Sequence, residues 1–214
     1  MVSYIRKLIE QGEHQQLDFK FCITDARKIA RTLVAFSNTD GGKLLLGIKD
    51  NGAVVGVKSE EEFYMVEAAA QMYSRPPIQF KTYKWEVNGK TVLEITVPKS
   101  DKRPRYAQNK DGKWLVYIRV NDQNLLANNV LLKVWQRKKR KKGVYVKYTD
   151  KEKFLLEYLQ KNSTITLSKF YRTAQISKQQ AEKILVNFVV LNIIEIVFTE
   201  KLTFYKLSKN YNIE

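Results

Sequence analysis

Glu13, Asp18 and Asp50 are the residues at which chemistry could begin. The first precedes the segment "QLDFKFCI", the second lies on that segment's polar side near Lys20, and the third sits in the turn "DNG". Three carboxylates brought together repel one another and raise a pKa unless a divalent cation sits between them. Such a cluster can hold Mg²⁺ or Mn²⁺ and activate water against a phosphodiester. Each acid also has a plainer use. Asp50 is what a hairpin turn favours, and Asp18 with Lys20 makes an ordinary ion pair on a strand. The spacing alone leaves both readings open.

Other chemistries are narrowed by counting. His14 is the only histidine, so a Ser-His-Asp or Cys-His arrangement with a second histidine as base is excluded. The single Cys22 excludes an internal disulfide and a multi-cysteine zinc site, and reads as a small buried hydrophobe. "NTDGGK" offers glycine N–H groups, but it lacks the Gly-x-x-x-x-Gly-Lys-Ser/Thr pattern and leads from a helix into a strand. Two glycines that turn the chain are the favoured reading there.

Charge points to a partner. Lys and Arg number 38 against 22 acids, a net charge of +16 over 214 residues. That field attracts polyanions, and phosphate contacts dominate non-specific nucleic-acid affinity. Residues 133–153 hold ten bases and two acids, half of the net charge. Within them Arg137, Lys138, Lys139, Arg140, Lys141 and Lys142 form one run. Residues 102–120 interleave Arg103 and Arg105 with Tyr106, Trp114, Tyr117 and Arg119. Aromatic and guanidinium groups on a sheet can stack bases while cations track phosphates. Alternation puts Tyr117 and Arg119 on one face, expected at the surface, and Trp114 on the other, expected in the core.

The elements that must position these groups read as follows. Residues 3–11 form a short helix. Leu17, Phe19, Phe21 and Ile23 alternate with Gln16, Asp18, Lys20 and Cys22, which is strand periodicity. Thr24 or Asp25 can cap a helix to about Ser37, striped by Ile29, Leu33 and Phe36. "KLLLGI" and "AVVGV" flank the turn at Asp50. A helix over 59–74, strands over 77–87, 90–97 and 114–120, and a helix over 125–135 follow. Beyond these, "TDKEKFLLEYLQKN" opens with a capping box at Thr149 and Glu152, and "SKQQAEKILVNFVVLN" with one at Ser177 and Gln180. With "LSKFYRTA" between them and two strands after, this is the outline of a winged helix-turn-helix. In its third helix Ala181, Ile184, Leu185 and Phe188 pack inward, leaving Lys178, Gln179, Lys183 and Asn187 for a groove.

"GEHQQLDFK" followed by "VAFSNTDGGKLLLGIKDNGAVVGV" resembles the Schlafen-type Alba-like domain, a group also described as divergent AAA-like ATP-binding proteins and bacterial transcriptional regulators. "PRYAQNKDGKWLVYIRVNDQNLLAN" looks like that family's closing strand, and the likeness covers about residues 5–135. It implies a mixed α/β domain with a curved, largely antiparallel sheet. In nuclease members two acids of the first motif and the Asp after Gly-Val-x form a metal site; here these fall on Glu13, Asp18 and Asp50, with Lys20 beside them. Asp18 stands where the family usually has Glu, and His14 where it has Ser.

The resulting expectation is an α+β protein: an Alba-like domain over 1–136, a basic linker over 137–147 and a winged helix over 148–214. It binds DNA or RNA, with a DNA-binding transcriptional regulator as the favoured role. The rival is a metal-dependent endoribonuclease, the only reading that needs Mg²⁺ or Mn²⁺. An ATP-binding regulator is a third, without a Walker lysine to support it. The family likeness implies a homodimer. No apolar run approaches the ~18 residues of a membrane span, and the first residues lack a signal-peptide pattern; a cytoplasmic location is expected.

Overall fold

The computed structural model describes residues 4–140, 143, 147–209 and 211. Its contacts divide the chain into two units, Met1–Ala127 and Asn128–Glu214. Together they make a mixed α+β structure in which antiparallel pairing prevails.

In the first unit, α1 (Tyr4–Gln11) leads to β1 (Leu17–Lys20), α2 (Ala26–Asn38) and β2 (Gly42–Leu46). Then come α3 (Glu61–Gln71), β3 (Ser74–Arg75), β4 (Lys81–Val87) and β5 (Lys90–Val97). The short strands β6 (Tyr106–Gln108), β7 (Trp114–Leu115), β8 (Tyr117–Val120) and β9 (Gln123–Leu126) close the unit. The main sheet runs β1-β2-β5-β4, with β1 parallel to β2 and the other pairs antiparallel. A parallel pair needs a crossover, and α2 supplies it. Asp25 caps that helix by accepting the Arg27 N–H at 2.9 Å.

The α2 helix is the hub. Ile29, Ala30, Leu33, Val34, Ala35 and Phe36 are buried, because α2 packs against both α3 and β8. Its last residue, Asn38, is fully buried and fully bonded. Asn38 Nδ2 donates to the Arg105 and Tyr117 carbonyls, each at 2.9 Å, and its Oδ1 accepts the Arg105 N–H at 2.8 Å. One amide thus ties the end of α2 to β8 and to the segment before β6. The glycines that follow are required by close approach. A Cβ at Gly42 would lie 2.5 Å from the Phe36 ring, and one at Gly41 2.8 Å from the Val97 carbonyl.

The second unit begins with α4 (Asn129–Lys138), capped by Asn128. It continues with α5 (Asp150–Asn162), α6 (Leu167–Thr173), α7 (Lys178–Val190) and the antiparallel hairpin of β10 (Ile194–Phe198) and β11 (Thr203–Leu207). Ile165 and Tyr205 exchange backbone bonds of 2.9 and 2.8 Å, adding a bridge to the hairpin. The capping box at Thr149 and Glu152 is complete. At Ser177 only half is formed: its hydroxyl accepts the Gln180 N–H at 3.1 Å.

The structure moves one helix across the expected boundary. Val130 and Val134, four apart on one face of α4, are buried in a cluster with Leu155, Ile184 and Phe188. The helix expected to close the first domain therefore packs with the second, and Arg137 and Lys138 form its last turn rather than a linker. Lys141 and Lys142 lie outside the described residues. Strand reading also shifted in places: "AVVGV" makes a single bridge, Ile48 with Val54, and β9 occupies the start of the helix expected at 125. No helix among the described residues is long and apolar enough to cross a membrane.

Candidate functional site

Strand β1 brings Asp18 and Lys20 to the same side, and the preceding turn brings Glu13 to them. Asp18 is 3 % exposed. Its Oδ1 accepts from Arg119 Nη2 at 3.2 Å, and Lys20 Nζ lies 3.2 Å from its Oδ2. Lys20 directs a hydrogen bond of 2.6 Å to the Phe19 carbonyl, however, so Asp18 Oδ2 has an ionic neighbour but no well-aligned donor. Glu13 Oε1 accepts the Phe19 N–H at 2.8 Å and stands 3.8 Å from Lys20 Nζ.

Arg119 is 2 % exposed, and its surroundings correct the expectation of a surface residue. Beyond Asp18, it donates to the Leu17 carbonyl at 3.1 Å, to Asn124 Oδ1 at 3.1 Å and to the His14 carbonyl at 3.4 Å. Its guanidinium lies over the Phe36 ring at 5.2 Å. The planar five-donor fork suits this burial, since each in-plane N–H can find an acceptor while the face stacks. Asn124 passes the network on to Thr32 of α2 at 2.9 Å.

Two acids, Glu13 and Asp18, here stand beside two cations, Lys20 and Arg119. Asp50 is exposed in its turn, and among the described residues no three His, Cys, Asp or Glu side chains are grouped to share a cation. That donor set does not suit a divalent ion, because Lys20 and Arg119 stand where its charge would be needed.

Burial raises the Glu13 pKa above the ordinary value of 4.5; a hydrogen bond to Asp18 and the Asp18 charge raise it further, against the opposing Phe19 N–H and Lys20. A proton on Glu13 supplies the donor that Asp18 Oδ2 lacks. The folded state thus holds that proton more tightly than the unfolded chain does, so its stabilisation is full below pH 4.5 and lost as pH rises through the raised value. Glu13→Gln places a permanent N–H there and keeps an oxygen for Phe19. We expect the variant to melt higher than the wild type at pH 7, with the difference shrinking towards pH 4.5 in paired thermal melts. An equal difference at both pH values would rule out a titrating Glu13.

The remaining candidates divide. Arg103 Nη1 donates to the Asn38 carbonyl at 3.3 Å, while Arg105 reaches Ser100 Oγ at 3.2 Å and the Pro77 carbonyl at 3.0 Å; both pin the segment before β6. Tyr117, expected at the surface, is 7 % exposed beneath Arg31, whose guanidinium lies 5.2 Å from its ring centre. Trp114, expected in the core, is only partly buried, with Arg75 at 5.9 Å. Alternation separates two faces of a strand but does not say which is wet, and β8 is covered on both. Gly41 N–H donates to the Phe36 carbonyl at 2.9 Å, which closes α2 and leaves that N–H unavailable to a nucleotide phosphate.

The second unit gathers what the first does not. A cleft of about 580 Å³ runs between α4 and α7. Lys133, Gln136, Arg137 and Arg140 line one side; Gln179, Gln180, Lys183 and Asn187 line the other. Among the described residues no carboxylate lines it. Glu182 is buried beside it, ion-paired with Lys133. Lys138, Lys139 and Lys178 are exposed and lie outside the cleft lining. Sequence reasoning missed Lys133 and Gln136 as partners of this cleft because it left α4 in the other domain, and Gln180 because it assigned that residue to the capping box at Ser177.

Comparison with known proteins gives the first unit a family. The family model described as Schlafen, AlbA_2 matches residues 13–128. Among solved structures, the DIP2311 protein from Corynebacterium diphtheriae aligns at 20 % identity with a TM-score of 0.43, over 57 % of this chain and 24 % of that one. The chain therefore spans about a quarter of that protein. The N-terminal domain of a RecG-related protein from Nitrosomonas europaea aligns at 23 % identity and a TM-score of 0.40, over 60 % of this chain and 97 % of that domain. A search of curated proteins found no match. The matched span runs from Glu13 to Asn128, over more than half of the chain, and takes in the Asp18–Arg119 pair and Asn38: the chain belongs to the Schlafen, AlbA_2 family.

Proposed function

We propose that this is a nucleic-acid-binding protein acting as a DNA-binding transcriptional regulator. Its second unit serves as a winged helix, and duplex DNA seats its phosphates in the α4–α7 cleft. The observation that carries this reading is the cleft itself, where Lys133, Arg137, Arg140 and Lys183 meet polar residues of α7 with no lining carboxylate. A net charge of +16 supports it by favouring polyanion encounter. Gln179, Lys183 and Asn187 are the base-edge candidates, because amide and ammonium groups match the major-groove pattern. The Glu13–Asp18–Lys20–Arg119 network has a structural role in this reading, holding β1 against β8. A two-fold dimer belongs to the same reading on the family likeness, and light scattering that found only a 25.1 kDa species would remove it.

The test is titration of labelled duplex DNA and labelled tRNA across salt, with and without Mn²⁺. Saturable duplex binding is expected, with log affinity falling linearly in log salt by about 0.9 per phosphate contact. No binding at low salt would overturn the proposal. Mn²⁺-dependent cleavage of the RNA, lost in Asp50→Ala, would instead favour the endoribonuclease.

A further inference from the structure

We infer that the first unit has its own phosphate-binding pocket, on the outer face of α2, which takes the backbone of a single nucleic-acid strand. The pocket holds about 210 Å³ and is lined by Arg27, Lys28 and Arg31 of α2, by Lys110 and Tyr117, and by Asp25 as its one acid. Four cations thus face one carboxylate. That carboxylate is already engaged, accepting the Arg27 N–H at 2.9 Å and lying 3.9 Å from Arg27 Nε.

The arginines are held in a way that suits a phosphate. Arg31 lies over Tyr117 at 5.2 Å and Arg27 over Tyr73 at 5.4 Å. Stacking uses the face of a guanidinium and leaves its in-plane N–H groups to donate, which lowers the entropy lost on gripping an anion. Arg27 gives one of these, at 3.5 Å, to the Lys110 carbonyl, which links the two sides of the pocket. Gln108 and Asn109 bond within the turn 108–113 and fix the loop that carries Lys110. Ile29, Ala30 and Leu33 supply the buried stripe of α2, which leaves Arg27, Lys28 and Arg31 outside it, the two arginines covering Tyr73 and Tyr117.

The concavity is too small for a duplex edge but accepts one phosphate of a flexible strand. This pocket is independent of the α4–α7 cleft, with which it shares no lining residue. It places nucleic-acid contacts in a unit where the sequence pointed to Arg103, Arg105, Tyr117 and Arg119, of which only Tyr117 lines the pocket.

The test uses the full chain carrying Arg137→Ala, Arg140→Ala and Lys183→Ala, so that the cleft contributes little. A fluorescein-labelled 12-nucleotide oligothymidylate is titrated by anisotropy across salt. Adding Arg31→Gln or Lys110→Ala should each weaken binding about fivefold and reduce the salt slope by about 0.7, the single-strand value per contact. Lys110 is exposed on a turn, so its variant cannot be dismissed as misfolded. Adenosine monophosphate should displace the strand only at concentrations far above those of the oligonucleotide. Unchanged affinity and slope in both variants would overturn the pocket. Displacement by the mononucleotide at equal concentration would overturn the strand as its occupant. Failure of the cleft proposal would appear elsewhere, as duplex binding unaltered by the three background substitutions.

Discussion

Arg119→Ala is expected to lower the stability of the first unit by about 3–5 kcal/mol, the usual cost of removing one partner from a buried ion pair. The substitution leaves Asp18 buried with its Oδ1 bare, and removes the side-chain donors that the His14 and Leu17 carbonyls accept in addition to their mutual backbone bonds. A cost of that size shifts the melting temperature by roughly 10 °C or more for a domain of this length. Arg119→Lys should recover little, because one ammonium cannot reach acceptors arranged around a planar fork. Asp18→Asn combined with Arg119→Met should melt higher than Arg119→Ala, since the orphaned charge is gone and the stem still packs on Phe36. The opposing idea, that Arg119 is a surface nucleic-acid contact, predicts weaker binding with an unchanged melting temperature. A circular-dichroism melt of the three variants separates the two, and a shift under about 3 °C for Arg119→Ala would reject the buried pair.

This pair also marks where sequence reading stopped. Local chemistry was legible: Asp25 and Thr149 cap the helices expected of them, and the glycines after Asn38 turn the chain as read. Leu17 and Phe19 alternate with Asp18 and Lys20 as a strand should, but Asp18 is as buried as its apolar neighbours. Its partner lies 101 residues away, and periodicity carries no information about a contact that distant. The same limit moved Tyr117 and Arg119 from the expected surface into the core. For the acids, motif spacing placed Glu13 and Asp18 together, since five residues of turn and strand hold them; Asp50 depends on where a hairpin points, and it stays in solvent. For α4, Val130 and Val134 announced an apolar face but not which unit would cover it. The outer face of α2 could have been found, because an apolar stripe at 29, 30 and 33 leaves 27, 28 and 31 facing outward.

The largest expected functional loss comes from the α4–α7 cleft. Replacing Arg137, Arg140 and Lys183 together by Ala removes three cations from its lining and keeps the Lys133–Glu182 pair that joins the helices. If each cation meets one phosphate, the salt slope for duplex DNA should fall by about 2.7, or 0.9 per contact. Counterions released into ~0.15 M salt are worth about 0.7 of a decade each, so affinity should drop about a hundredfold, and for all duplex sequences alike. Gln179→Ala should behave differently. It removes no charge, so the slope should hold while discrimination between a preferred and a scrambled duplex falls about tenfold, the usual weight of one base-edge contact. The two variants therefore separate holding from reading within one cleft. A triple variant that keeps the wild-type slope would mean that phosphates seat elsewhere on the chain. In that case the packing of α4 on α7 covers a helix face rather than building a site, and the exposed Lys138, Lys139 and Lys178 become the next cations to test.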